Sequence, residues 1–182
     1  MILNKLKYIS MKTIQNISLV LTLCMITSFA IGQKKVKSPP KELADTFNGT
    51  AITINYNAPS VRDRNIWGDL VPFNEVWRTG ANTATKITID KSTEIEGQQL
   101  AAGTYALFTI PTEKNWTVIF NSESDQWGAY KYNKEKDVLR VTVEPVKAAE
   151  KTEQMTFVKA SESSIHLLWD NLAVPIKIGA AQ

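Results

Sequence analysis

From about residue 50 onward the chain repeats one pattern: short runs in which β-branched and aromatic residues recur at every second position. Residues 51–56 put Ile52, Ile54 and Tyr56 on one face and Thr53 and Asn55 on the other. Residues 85–90 set Ile87 and Ile89 against Lys86, Thr88 and Asp90 in the same way. Successive side chains of a strand point to opposite faces, so each such run has one face to bury and needs a second layer to bury it against. Residues 105–110 are apolar on both faces, as a central strand of a sandwich requires. Runs at 116–120, 138–143, 155–158, 165–169 and 174–178 complete the set, with turns at Glu96-Gly97-Gln98 and Ala102-Gly103. Helical periodicity is not sustained. The pattern predicts an all-β chain: a single antiparallel β-sandwich, jelly-roll-like, of about eight strands. Two stretches break the rhythm, 59–84 and 121–137. Both are long for connections in a compact domain, and long ordered loops are where binding residues collect.

The start of the chain is different in kind. Residues 17–31 are strongly apolar, follow Lys5, Lys7 and Lys12, and close with Ala30-Ile31-Gly32. A basic start, a short apolar run and small residues three and one before a cut describe an export signal cleaved after Gly32. An apolar run of about 15 residues falls short of the ~20 that span a bilayer. The alternatives are an anchor that stays in place and a lipid attached at Cys24. Lipid attachment needs a small residue directly before the cysteine, where Leu23 stands. The expected organisation is a signal peptide 1–32, an extended linker 33–46 marked by Pro39-Pro40, and a sandwich domain 47–180. The destination is the periplasm, the cell envelope or the medium, with no transmembrane segment after cleavage. Cleavage removes Cys24, the one cysteine, and with it thiol catalysis, disulfides and thiolate metal sites. It also removes three lysines and no acid. The whole chain holds 21 Lys and Arg against 18 Asp and Glu, so the remainder is neutral and lacks a nucleic-acid binder's basic stripe.

The residues with chemistry cluster in the two long stretches. In Trp77-Arg78-Thr79-Gly80-Ala81-Asn82, Arg78 offers a fork of five donors. Thr79 adds a hydroxyl, Asn82 both donors and an acceptor, and Gly80 permits close backbone approach. Such a group suits a carboxylate, a phosphate or sugar hydroxyls. The structural alternative pairs Arg78 with Glu75 or Asp69 and leaves Asn82 capping a turn. Trp67 and Trp77 lie in the first stretch, Trp127, Tyr130 and Tyr132 in the second. An aromatic plane beside polar partners holds a sugar ring, whose one face is apolar. Equally, Trp67 and Trp77 are candidates to fill the ends of the sandwich. The candidate ligand-binding set is Trp77, Arg78, Thr79, Asn82, Trp127 and Tyr130. His166, the one histidine, faces away from Ile165 and Leu167 and has neither a second histidine nor a cysteine to build an ordinary zinc site. Glu94 and Glu96 share a face but precede the Gly97 turn on a solvated side. Residues 121–125 alternate oxygen donors without the spacing of a calcium loop. No metalloprotease or nucleophile-elbow motif occurs. No catalytic residue, metal ligand or cofactor is assigned. Tyr105, two residues after Gly103, occupies the place of a sandwich's corner tyrosine.

The stretch Val71-Pro72-Phe73-Asn74-Glu75-Val76-Trp77-Arg78-Thr79-Gly80-Ala81-Asn82-Thr83-Ala84-Thr85, with Leu100-Ala101-Ala102-Gly103-Thr104-Tyr105-Ala106-Leu107-Phe108-Thr109-Ile110-Pro111 and Trp116, closely resembles an exported bacterial family, domain of unknown function 2911. The resemblance covers about residues 47–178. It implies a signal peptide, a compact β-rich domain and no assigned reaction. The family pattern carries a Ser-Pro-Arg-like element upstream, where this chain reads Ala58-Pro59-Ser60-Val61-Arg62. Three classes stay open: a non-catalytic binding module for a carbohydrate or a small anionic or polar ligand, a structural or protein-interaction domain, and a hydrolase using a carboxylate or His166. The first predicts a partly exposed hollow where the two long loops meet. The second predicts Arg78 closed over an internal carboxylate.

Overall fold

A computed structural model describes residues 36–181. Ten strands follow in chain order: β1 Pro40–Phe47, β2 Thr50–Asn57, β3 Thr85–Ile89, β4 Thr93–Ile95, β5 Gln98–Leu100, β6 Gly103–Ile110, β7 Trp116–Asn121, β8 Asp137–Val143, β9 Val146–Ser161 and β10 Ser164–Ala181. They form two antiparallel sheets, one of six strands in the order β1-β2-β3-β6-β7-β8 and one of four in the order β5-β4-β10-β9. The all-β sandwich expected from the alternation is what the chain builds. Ile52, Ile54, Ile87 and Ile89 from the larger sheet share a core with Ile95, Phe157, Ile165 and Leu167 from the smaller. Among the described residues no helix is long and apolar enough to cross a membrane.

Four of the five tryptophans meet in this core. Trp67 packs edge-on against Trp77, Trp116 and Trp169 with ring centroids 6.0, 4.8 and 5.6 Å away, and Trp77 stacks on Trp169 at 5.7 Å. Edge-to-face and offset contacts at this spacing each add about 0.5–1.5 kcal/mol beyond area burial. Trp67 and Trp77 are therefore core residues, delivered from the long connection between β2 and β3. The central strands β6 and β7 are buried on both faces, as expected for 105–110. Phe108 and Ile119 form a second apolar cluster on the outer face, under Ala129 and Tyr132 of the connection between β7 and β8.

Two details differ from the expectation. The segment expected as linker to residue 46 contains β1. Asn48 and Gly49 both take positive φ, 47° and 86°, the geometry of a two-residue hairpin turn, and pair Pro40 to Phe47 with Asn57 to Thr50 in unbroken register. Of the eight residues of β1, Phe47 alone is fully buried, so this edge strand carries no legible alternation. Pro40 is tolerated because it opens an edge strand. Secondly, the runs 165–169 and 174–178 belong to one strand, β10. Register shifts on either side of Asp170, itself at φ 53°, interrupt the alternation and made one long strand read as two.

Candidate functional site

The connection 58–84 pairs with β9 at Ser60 and with β6 at Trp77 and is held down by the side chains it buries: Val61, Ile66, Val71 and Trp77. Trp77 exchanges main-chain bonds with Thr109 of β6, 2.7 and 2.9 Å, and its indole donates to the Gly80 carbonyl at 3.1 Å. Thr79 is 1% exposed at φ 53°, a left-handed backbone that a β-branched residue adopts only under strain. Its surroundings enforce this. The Thr79 hydroxyl lies 3.2 Å from Thr109 Oγ1, and the Thr79 carbonyl accepts from Thr85 Oγ1 at 2.7 Å. Gly80 is equally constrained, since a Cβ there would stand 3.1 Å from both the Asn57 carbonyl and Thr85 Oγ1. Arg78 is thus fixed between two buried, bonded neighbours.

Arg78 itself is half-buried and lines a cleft of about 250 Å³ together with Arg64, Leu70, Trp77, Gly80 and Trp169. Among the described residues no carboxylate lies within ion-pair distance of Arg78, and its buried Nε has no hydrogen-bond acceptor. The expected pairing with Glu75 or Asp69 does not form. Burial pushes the guanidinium below its ordinary value, while the nearby Tyr130 acts in the opposite sense. Arg64 is anchored by donating to the Val61 and Ser60 carbonyls, at 3.0 and 2.6 Å, and likewise meets no carboxylate among the described residues. Two arginines therefore share a cleft whose lining, among the described residues, contains no acid.

The two long connections meet beside this cleft. Thr83 and Trp127 form an antiparallel bridge, with Ala84 N–H donating to the Gln126 carbonyl at 2.9 Å and Gly128 N–H to the Asn82 carbonyl at 3.0 Å. Trp127 is 64% exposed and Tyr130 87%. Asn82 is exposed, at φ 59°, and its amide reaches Asn57 Oδ1 at 3.4 Å. The six candidate residues are thereby sorted. Trp77 and Arg78 line the cleft, Thr79 is sealed beneath it, and Asn82 and Trp127 lie where the loops join. Tyr130 projects near Arg78.

The remaining candidates have structural employment. Asn121 is fully buried; its amide donates to the Asn133 carbonyl and Asp137, 2.9 and 2.8 Å, and its oxygen accepts from Glu123 N–H at 3.0 Å. Residues 121–125 are thus organised around an internal hub. Glu96 accepts from Lys177 N–H. Tyr105 donates to the Ala101 carbonyl at 2.9 Å, the corner tether its position predicted. His166 sits half-buried between the buried Ile165 and Leu167, and desolvation lowers its pKa. Among the described residues no three His, Cys, Asp or Glu side chains converge as a metal would need.

Residues 38–178 match the family described as a protein of unknown function, DUF2911. The chain belongs to this family. No curated protein and no solved structure matches it. The match begins two residues before β1, so the DUF2911 domain takes in the edge hairpin as well. Within this domain Arg62 turns away from the cleft lining: its backbone N–H donates to Glu153 and its guanidinium to the Lys37 carbonyl. Arg64, two residues on, is the arginine beside Arg78, and sequence reasoning did not single it out. Nothing local distinguishes the two. The difference lies in their partners, the Lys37 carbonyl for Arg62 and the Val61 and Ser60 carbonyls for Arg64.

Proposed function

We propose that this DUF2911 domain is a non-catalytic binding module for a small anionic ligand, a carboxylate or a phosphate, working outside the cytoplasm. The observation that carries the reading is Arg78, a half-buried cation with no internal counter-charge among the described residues, beside a second arginine in the same cleft. Burying a charge without a partner lowers stability. A ligand carrying two oxygens on one centre supplies what is missing, because a guanidinium binds such groups through two parallel hydrogen bonds. The internal ion pair expected of a purely structural arginine does not form. Among the described lining residues only Arg64 and Arg78 carry charge, and a guanidinium offers donors and no acceptor, so the lining supplies no charged base. That favours holding a ligand over transforming it. Export rests on the order of charge, apolar run and small residues in 1–32, a segment that lies outside the described residues. N-terminal sequencing of protein from an envelope fraction should start at Gln33.

The site is tested by thermal unfolding in inorganic phosphate and in succinate at constant ionic strength. A ligand that binds the folded chain raises its stability by RT ln(1 + [L]/Kd). The wild-type melting temperature should climb with the logarithm of ligand concentration, and the slope should vanish in Arg78→Met and weaken in Arg64→Met. Without ligand, Arg78→Met should melt no lower than wild type, since it removes an unpaired charge rather than half of a pair. No response in the wild type, or the same response in Arg78→Met, overturns the reading.

A further inference from the structure

We infer that the outer face of the six-stranded sheet carries a second site, separate from the arginine cleft, which takes a saccharide and uses Trp127 as its stacking platform. Four of the five tryptophans pack together inside the sandwich; Trp127 alone is largely exposed. Its exposure is not the slackness of a loop. The main-chain bonds from Ala84 to Gln126 and from Gly128 to Asn82 clamp the backbone on both sides of it. Next to it, Gln126 is buried and donates to the Glu123 carbonyl at 2.7 Å. The indole is therefore presented at little further entropic loss on binding, which favours affinity.

What it borders decides the ligand. Residues opposite one another on an antiparallel bridge project to the same side, about 4.5–5.5 Å apart. Trp127 is thus set beside Thr83, and Thr83 lines an open groove of about 310 Å³ with Asn55, Asn57, Lys86 and Thr88. The chemistry of this groove contrasts with that of the cleft. Lys86 is neutralised by Asp125, two residues before Trp127, which leaves Lys41 at the edge-strand side of the groove as its other cation. The amides of Asn55 and Asn57 and the hydroxyls of Thr83 and Thr88 both donate and accept. A sugar ring matches both features: its C–H face packs on an aromatic plane and its hydroxyls need partners of either sense. A small anion would meet Lys41 but would use neither the indole face nor the acceptors of the two-way amide and hydroxyl groups as a sugar does. Residues 80–84 form the wall between the two hollows, with Gly80 and Ala81 on the cleft side and Thr83 and Ala84 on the groove side.

Acrylamide quenching tests this directly, because Trp127 is the one tryptophan largely open to solvent and a neutral quencher does not compete for the arginines. Hexasaccharides of β-linked glucose, xylose, mannose and N-acetylglucosamine, and of α-linked glucose, are titrated into the purified protein. At least one should reduce quenching several-fold and saturably, with a blue shift of the emission. Isothermal titration with that sugar should show binding abolished in Trp127→Ala, partly kept in Trp127→Tyr, and unchanged in Arg78→Met. Persistence of binding in Trp127→Ala overturns the proposal, and so does the failure of every sugar to protect the indole. Loss in Arg78→Met would merge the two sites into one and overturn their separation.

Discussion

Thr79 carries strain that its neighbour Arg78 depends on. A β-branched residue at φ 53° is held there by its own hydroxyl, by Thr85 and by the close approach of Gly80 to Asn57. Glycine at this position relieves the backbone but loses the hydroxyl; valine keeps the strain and loses the hydroxyl too. Thr79→Val should therefore be the more destabilised of the two by about 1–2 kcal/mol, read from urea unfolding midpoints at equal m-value. Equal losses would mean that the backbone strain contributes nothing. Either variant should weaken anion binding, since Arg78 is positioned through its neighbours. Gly128 presents the same issue in another form. At φ 68° the chain needs glycine for conformation, while the Tyr130 ring that a Cβ would meet at 2.8 Å is exposed and free to turn aside.

At the level of elements, the connection between β7 and β8 works as a lid over the outer face of the larger sheet. It is fastened by Asn121, by Tyr132 packed on Phe108 with centroids 5.1 Å apart, and by Asp137, which accepts from Tyr132 and faces Arg140 at 3.6 Å. Burial, then the bond to Asp137 and its charge, push the Tyr132 phenol up to about 12 from an ordinary 10.0. The folded chain thus holds this proton more tightly than the unfolded chain does. Its contribution is complete below pH 10 and is lost as pH rises through about 12. Melting temperature should fall over this window in the wild type and fall less in Tyr132→Phe. The phenolate absorbance of wild type minus variant should show one late-titrating group. The alternation rule located the strands on either side of this lid but was silent on the lid, whose order comes from side-chain bonds to the backbone rather than from periodicity.

Across the whole molecule, the four-tryptophan cluster joins the two sheets to the connection that delivers Arg78. Trp116 comes from β7 of the larger sheet and Trp169 from β10 of the smaller, while Trp67 and Trp77 come from residues 58–84. Truncating a fully buried ring of the cluster should therefore unfasten core and cleft at once. Trp116→Ala is expected to lose about 3–5 kcal/mol of stability, measured by denaturant unfolding. A loss near zero would mean that the cluster does not hold the two sheets together. The Trp127→Ala variant, outside the cluster, should leave the unfolding midpoint within experimental error of wild type.

The amino-acid sequence by itself determined the sandwich, the two exceptional loops and the Tyr105 tether. Each follows from relations between residues a few positions apart: alternation, Gly-marked turns, a tyrosine two places after a glycine. It also identified Arg78, Trp77 and Trp127 as chemically capable. Only the tertiary structure decided what they face. Whether Arg78 is an ion-pair staple or an open cation depends on which carboxylates the fold brings near it, and the fold brings none among the described residues. The pairing of Thr83 with Trp127 and the setting of Asn55 and Asn57 beside them likewise depend on contacts between segments tens of residues apart. Local pattern carries no record of such contacts, because periodicity states which face of a strand is buried and not which distant chain will lie against it.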